Sequence, residues 1–412
     1  MKKKIILLVC LFFNTCVFGE EIIKVRLSDG ETISGRLNLP SNKDSVPMLV
    51  VFVHGTGPNT YLNKRKIGNV EFNYYDLFAE EFNKRGIGFF TYNRRGVEIG
   101  DNPPYYDKID STKYSKYLPL TEAEDIEAII SQLKNDKRFT NSKIALLSAS
   151  EGTIIASMVA DRKVEKVDAL LLFGYANDNL FDIIKWQYSG KASIINLRKY
   201  FDVNRDNLIS KSEYESTDSI ALLGRSRVMR NAPFESLNSV KDSILDYRDF
   251  AQMTTPYFEN LLKMIETDNN SWIWKNYFRI TSGWLKQHFQ LEANKTRLLR
   301  IDIPIYIFHG IDDGNVPVEG VYDIQSRFRQ ANKTNLRCFI FEGHNHDLNY
   351  LDWPFEQKIS AGLNSIFDTS EHLSKKCYDG ITLAFDLIGN YNRAIEKLNS
   401  LISKIHDSYF NT

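Results

Sequence analysis

The rhythm of apolar and polar positions changes along the chain. Ile23-Lys24-Val25-Arg26-Leu27 alternates, Ser28-Asp29-Gly30 interrupts, and Ile33-Ser34-Gly35-Arg36-Leu37 alternates again. Period-two runs on either side of a turn predict an antiparallel hairpin, and its polar faces suit a sheet edge. From Met48 to Val53 the alternation gives way to an unbroken apolar run, as expected for a strand buried on both faces. Similar runs recur at Ile87–Tyr92, Lys143–Leu147, Ala169–Phe173, Ile305–Phe308 and Cys338–Phe341. Between them, apolar residues fall at helical spacing in Tyr74–Phe82, Ala123–Leu133, Thr153–Ala160, Val318–Phe328 and Pro354–Ile366. Strand and helix in alternation predict an α/β fold, a mostly parallel sheet with helices on both faces.

One interval departs from this rhythm. From about Asn179 to Arg300 no buried-strand run occurs, while Trp186, Trp272, Trp274 and Trp284 sit in amphipathic helical segments. The interval is far longer than an ordinary connection, which predicts a helical cap inserted over residues 179–300. Past Ile366, the spacing of Ile381, Phe385, Ile388, Ile395, Leu398 and Ile402 predicts a C-terminal helical extension over 369–412. The core is thus expected in two pieces, 20–178 and 301–368.

The amino terminus carries a different signal. Lys2, Lys3 and Lys4 precede an apolar stretch from Ile5 to Phe13, too short to span a bilayer, and Val17 and Gly19 are small enough for a cut before Glu20. Residues 1–19 therefore read as an export signal, with periplasmic or extracellular destination and no stable membrane anchor after cleavage. A lipoprotein cut before Cys16 fits poorly with Phe13, Asn14 and Thr15. Of the four cysteines, only Cys338 and Cys377 outlast the cut, too few for a disulfide scaffold in a chain of 412 residues. The full chain balances 52 basic against 52 acidic residues, and losing three leader lysines leaves −3. That balance argues against a nucleic-acid partner, which would require an excess of positive charge.

Candidate chemistry gathers where the expected strands end. Ser148-Ala149-Ser150-Glu151-Gly152 lies between a buried strand and a helix, so Ser150 falls on a tight turn with small residues two positions away on each side. Such a turn exposes the hydroxyl and aims amides at a helix N-terminus toward developing negative charge. His54-Gly55-Thr56-Gly57-Pro58 closes an earlier strand, and Tyr92-Asn93-Arg94-Arg95-Gly96 closes the next. His309-Gly310-Ile311-Asp312-Asp313-Gly314-Asn315-Val316-Pro317 ends a later strand with carboxylates, and Glu342-Gly343-His344-Asn345-His346-Asp347 ends the last with histidines. Open α/β sheets place ligands at this carboxyl edge. No metalloprotease helix, phosphate loop or dinucleotide fingerprint occurs, so no organic cofactor is expected.

At these positions the sequence resembles the α/β-hydrolase superfamily, and within it bacterial carboxylesterases whose oxyanion strand ends in His-Gly-Ser-Gly-Pro and whose elbow reads Gly-His-Ser-Glu-Gly. The resemblance covers about Lys24–Phe173 and Ile303–Phe367, with Ser148 replacing the usual first glycine. It implies an α/β-hydrolase fold and a serine hydrolase with Ser150 as nucleophile, Asp313 as acid and His346 as base. The amides of Glu151 and Thr56 would form the oxyanion hole. From the residues alone, His344 and Asp312 remain the alternatives to His346 and Asp313, and the motif spacing favours the latter pair. A small-molecule carboxylic ester is the expected substrate. A prolyl-aminopeptidase-like peptidase is the alternative, with Glu259 and Glu266 as candidates to hold a substrate amine, and a calcium-dependent binding protein on a hydrolase scaffold is the other.

Within the cap, Asp202-Val203-Asn204-Arg205-Asp206-Asn207-Leu208-Ile209-Ser210-Lys211-Ser212-Glu213 matches the EF-hand loop at each ligand position. Asp202, Asn204, Asp206, Ser210 and Glu213 offer side-chain oxygens, and Leu208 offers its carbonyl. Asn207 replaces the preferred glycine at position six and tolerates the left-handed backbone needed there. The expectation is a structural Ca2+ that orders the cap, with flanking helices over Ile195–Phe201 and Lys211–Leu223.

Overall fold

The computed structural model describes residues 19–41 and 45–375. The alternating segments near the start form β1 (Gly19–Arg26) and β2 (Thr32–Leu39), an antiparallel hairpin with β1 at the sheet edge. The apolar runs form β3 (Met48–Val53), β4 (Gly88–Tyr92), β5 (Lys143–Ala149), β6 (Ala169–Phe173), β7 (Ile305–Gly310) and β8 (Leu336–Phe341). These eight strands make one sheet in the order β1-β2-β4-β3-β5-β6-β7-β8, in which only β2 runs against the others. After β3 the chain moves to one side for β4 and then crosses to the other for β5, which opens a crevice above β3.

Alternation along each buried strand divides the core between two faces. Leu49, Val51 and Val53 of β3 join Leu146, Leu170 and Ile307 against α2 (Pro119–Lys134), α3 (Gly152–Arg162) and α8 (Glu319–Gln330). On the opposite face Phe52 packs edge-on against Phe78 of α1 (Asp76–Lys84), ring centroids 5.5 Å apart, and Phe78 meets Phe367 of α9 (Ala361–Lys375) at 5.8 Å.

The long interval between β6 and β7 is helical in its main elements: α4 (Leu180–Gln187), α5 (Lys191–Phe201), α6 (Tyr247–Glu266) and α7 (Ser282–Gln290). It also holds a two-residue bridge between Ile209–Ser210 and Ile244–Leu245 that lacks any long apolar run. One small core, of Ile194, Leu197, Phe201, Ile209, Tyr214, Phe234, Leu245 and Phe250, closes within residues 191–250. A second, centred on Leu261, Ile273, Trp284 and Leu285, includes Val97, Tyr114 and Tyr117 from the stretch after β4.

Two expected helices differ. Pro354–Ile366 is not continuous: a short helix ends at Glu356, Gln357 turns left-handed, and α9 begins at Ala361. The Ser360 hydroxyl accepts the Leu363 amide and so starts the second helix instead of continuing the first. Lys211–Leu223 likewise divides into Lys211–Tyr214 and Ser219–Arg227, with Ser216 and Asp218 bonded to each other in the gap. The leader through Phe18, Cys377 and the extension beyond Lys375 lie outside the described residues.

Candidate active site

The crevice above β3 receives the turns that follow β3 and β5. Ser150 lies between β5 and α3 with φ of 55°, a left-handed backbone that a non-glycine residue adopts only under constraint. Its amide donates to the Phe173 carbonyl at 3.1 Å, and its carbonyl accepts the Thr153 amide and hydroxyl at 2.9 and 2.7 Å. The turn is crowded enough that a Cβ at Gly152 would fall 2.4 Å from the His54 carbonyl oxygen, so glycine is required there. Ser148, in place of the family's first glycine, is fully buried between β3 and β6, and its hydroxyl has no hydrogen-bond partner.

The His54–Pro58 turn is held from beneath by Arg94. The guanidinium donates to the carbonyls of Gly55 (2.7 Å), Gly57 and His54 (3.2 Å), and the Asn59 amide supports the first two. In a trans peptide the N–H points opposite the C=O. Tying the Gly55 carbonyl to Arg94 therefore turns the Thr56 N–H away from the guanidinium. The Glu151 amide sits at the N-terminus of α3, beside Ser150.

Arg94 is itself buried, with Glu122 on two of its nitrogens at 2.8–3.0 Å, Glu151 at 3.3 Å and the Tyr117 ring centroid at 4.1 Å. The Glu151 carboxylate also meets Tyr117 Oη at 3.3 Å and His288 Nε2, from α7, at 3.0 Å. Burial pushes the Glu122 carboxyl up, opposed by Arg94 and reinforced by Glu151, because two carboxylates share one cation. His54 stays neutral for the same reason: burial and Arg94 hold its pKa well down. Its Nε2 donates to the Tyr92 carbonyl at 2.7 Å and its Nδ1 accepts from Tyr75 Oη at 2.6 Å, so it is a strut of the turn.

On the other side of β6 stand the acid and the histidine. Asp313, 1 % exposed, accepts the amides of Asn315 and Val316 at 2.8 Å through Oδ1 and His346 Nδ1 at 2.8 Å through Oδ2. His309, on β7, approaches the same Oδ2 at 3.4 Å. Burial pushes Asp313 up, but His346, His309 and the Val316 amide outweigh it and hold the carboxyl below its usual range. His346 is raised to about 9: burial lowers it, and the charge and hydrogen bond of Asp313 more than offset that, with Asp347 adding. Because Nδ1 donates to Asp313, Nε2 is the nitrogen left to accept a proton. The ring keeps 13 % of its side-chain surface open. A Cβ at Gly174 would lie 2.7 Å from His346 Cε1, so the histidine packs on the residue after Phe173, whose carbonyl holds the Ser150 amide.

The two alternatives left open by sequence occupy other contacts. His344 donates through Nδ1 to the Glu342 carbonyl at 3.0 Å and accepts the Gly362 amide at 3.3 Å, tying the loop to α9. Asp312 turns toward Arg198 of α5 at 2.6 Å. Glu259 and Glu266, the candidate amine holders, are exposed on α6.

The acidic loop in the cap closes on its own amides. Asp202 accepts the amides of Asp206 and Asn207 at 3.1 and 2.9 Å, Asp206 accepts Leu208 at 2.8 Å, and Glu213 accepts Ser210 at 2.9 Å. Asn204 bonds Asp206 through its side-chain amide at 3.0 Å. Arg205 and Asn207 are left-handed, with φ of 62° and 65°. Among the described residues no three His, Cys, Asp or Glu side chains gather as a metal group. Residues 238–249, which sequence reasoning passed over, repeat the design. Asn238 accepts the Asp242 amide at 3.2 Å, Asp242 accepts Ile244 at 3.1 Å, Asp249 accepts Asp246 at 3.0 Å, and Lys241 has φ of 62°. Buried Ile209 and Leu245, at matching places, pair across the two loops. The signal was one constant offset from Asp202, Asp206, Ser210 and Glu213 to Asn238, Asp242, Asp246 and Asp249, disguised by Val240 where the first loop has Asn204.

The sheet order and the elbow turn are those of a hydrolase fold, and a family model described as the alpha/beta hydrolase fold matches residues 49–352. The chain belongs to that family. Among solved structures it is similar to a lipase in its open form, at 13 % identity and TM-score 0.50 over 87 % of this chain and 100 % of that one. A thermostable carboxyl esterase from Bacillus coagulans aligns at 14 % identity and TM-score 0.48, covering 86 % and 99 % of the two chains. The Pyrococcus horikoshii acylaminoacyl peptidase aligns at 12 % and 0.45, covering 88 % of this chain and 42 % of that one. At 13 % identity the likeness to the lipase is one of fold. A search of curated proteins found no match.

Proposed function

We propose that this protein is an exported serine hydrolase that cleaves carboxylic esters through an acyl-enzyme on Ser150. The observation that carries the reading is the 2.8 Å His346–Asp313 pair, packed against the end of the strand whose carbonyl also fixes the Ser150 turn. In this reading His346 Nε2 takes the Ser150 hydroxyl proton as Oγ attacks the ester carbonyl. The amides of Thr56 and Glu151 stabilise the oxyanion. Asp313 keeps the imidazole in the required tautomer and stabilises the imidazolium. The proton then passes to the departing alcohol, and water, deprotonated by the same nitrogen, clears the acyl group.

Ester rather than aminoacyl substrates are favoured because Glu259 and Glu266 face solvent and offer no buried carboxylate to a substrate amine. Export rests on the leader over residues 1–19 and would give a mature chain starting at Glu20. Calcium is the further part of the reading: Asp202, Asn204, Asp206, Leu208, Ser210 and Glu213 would hold it through oxygen alone, the donor set this cation prefers. Left-handed Arg205 and Asn207 and the buried Ile209 anchor support that assignment. The ion would order the cap and take no part in bond cleavage.

A fluorophosphonate probe tests the central claim. Labelling of the wild type that vanishes in Ser150→Ala is expected; an unlabelled wild type would sink the serine-hydrolase reading.

A further inference from the structure

We propose that Arg198, on cap helix α5, is a positioning residue that fixes the turn carrying Asp313 from outside the hydrolase core; this rests on the serine-hydrolase reading above. The turn after β7 is stitched on one side to the histidine loop. The Ile311 amide donates to the Phe341 carbonyl at 2.9 Å, and the Asp312 amide donates to the His344 carbonyl at 2.9 Å, two residues before His346. A Cβ at Gly310 would fall 2.0 Å from that same His344 oxygen, so the two loops touch backbone to backbone. The acid and the base therefore move as a unit if they move at all.

On its other side the turn meets the cap, where Gln187 Nε2 donates to the Asn315 carbonyl at 2.8 Å and Arg198 makes the larger contact. Arg198 Nε donates to Asp312 Oδ1 at 2.6 Å, Nη2 reaches the same carboxylate and the Ile311 carbonyl, and Nη1 donates to Asn207 Oδ1 at 3.1 Å. One planar fork thus joins the side chain and main chain of the residues just before Asp313 to position six of the acidic loop. A lysine ammonium cannot reproduce that spread. Asn196 of the same helix packs on Gly314, where a Cβ would lie 2.5 Å from its amide. Side-chain exposures of 19 % for Arg198 and 25 % for Asp312 leave this contact partly shielded. Another pair between residues 179–300 and these two loops, Arg205 with Glu342, has both partners well exposed at 75 % and 69 %, where screening leaves little. Arg198 is the contact that matters.

A triad needs its acid placed to well under an ångström, and misplacements of about that size cost on the order of 100-fold in rate. Full-length wild type, Arg198→Ala, Arg198→Lys and Glu342→Gln would be compared by steady-state hydrolysis of p-nitrophenyl acetate across pH, with melting temperatures alongside. Arg198→Ala is expected to lower kcat by about 10- to 100-fold with KM little changed. It should also move the midpoint of the kcat/KM profile down, because a displaced Asp313 supports the imidazolium less. The charged groups facing His346 are Asp313 and Asp347, with His309 behind Asp313. Arg198→Lys should recover part of both, and Glu342→Gln, which removes the carboxylate from the exposed Arg205 pair, should match wild type. Wild-type kcat and pH midpoint in Arg198→Ala would overturn the proposal, as would a loss shared equally by Glu342→Gln. Should Arg198→Ala fold poorly, Asp312→Ala removes the side-chain half of the contact and leaves the Ile311 carbonyl, and should give the same two shifts in smaller measure; an unchanged Asp312→Ala then overturns it. A wild type that hydrolyses the ester as slowly as Ser150→Ala would instead overturn the serine-hydrolase reading, and this proposal with it.

Discussion

The two sides of the site are held by opposite means. The Ser150 turn and the His54–Pro58 turn rest on a fully buried ionic cluster in which Arg94 meets Glu122, Glu151 and three backbone carbonyls. The Asp313 and His346 loops are bound to one another by backbone bonds, and the arginine that braces them from the far side comes from the cap at its surface. The buried cluster couples nucleophile geometry to folding itself, since removing one partner strands a charge in the core. The surface brace makes acid–base geometry adjustable at little cost in stability, since a part-exposed ion pair contributes only about 0–1 kcal/mol. On the serine-hydrolase proposal, the sheet and the helical interval between β6 and β7 would divide control of one reaction.

The largest effects test whether the two sides form one catalytic unit. Ser150→Ala should lower ester hydrolysis by about 10⁶-fold, the loss known for removing a serine nucleophile elsewhere. Asp313→Asn should lower kcat by about 10⁴-fold. In the wild type, kcat/KM should rise with pH as His346, raised to about 9, gives up its proton, and Asp313→Asn should move that midpoint down. The same group adds stability that is complete below its ordinary value near 6.5 and is lost as pH rises through about 9, which urea unfolding across pH would measure.

Arg94→Met sharpens the contrast in stability: it should cost about 3–5 kcal/mol by urea unfolding, against at most about 1 for Arg198→Ala. Calcium at about 100 times its dissociation constant should add about 2.7 kcal/mol, read as a melting temperature that falls in chelator. Asp202→Ala should abolish that response, and a wild type indifferent to chelator would remove calcium from the account. Smallest is Ser148→Ala, which deletes a buried hydroxyl without a partner and should stabilise by about 1 kcal/mol.

Local chemistry determined a good deal of this protein. Unbroken apolar runs such as Met48–Val53 became the central strands because burial on both faces tolerates nothing else. The elbow around Ser150 was legible because a tight strand-to-helix turn admits only small neighbours, and Gly152 shows the clearance to be nil. The acidic loop at 202–213 was legible by its spacing, but its partner at 238–249 was not, because Val240 breaks the ligand pattern while the backbone keeps it. The sequence could rank His346 above His344 and Asp313 above Asp312, but it could not pair them. That decision needed the parallel register of β7 and β8, which sets the two loops side by side and turns Asp312 outward to Arg198. Arg94 with Glu122, and Arg198 with Asp312, are contacts between residues far apart in the chain, chosen by where helices and strand ends meet in space. No local pattern encodes such a meeting, because the energy that fixes it comes from packing the whole sheet.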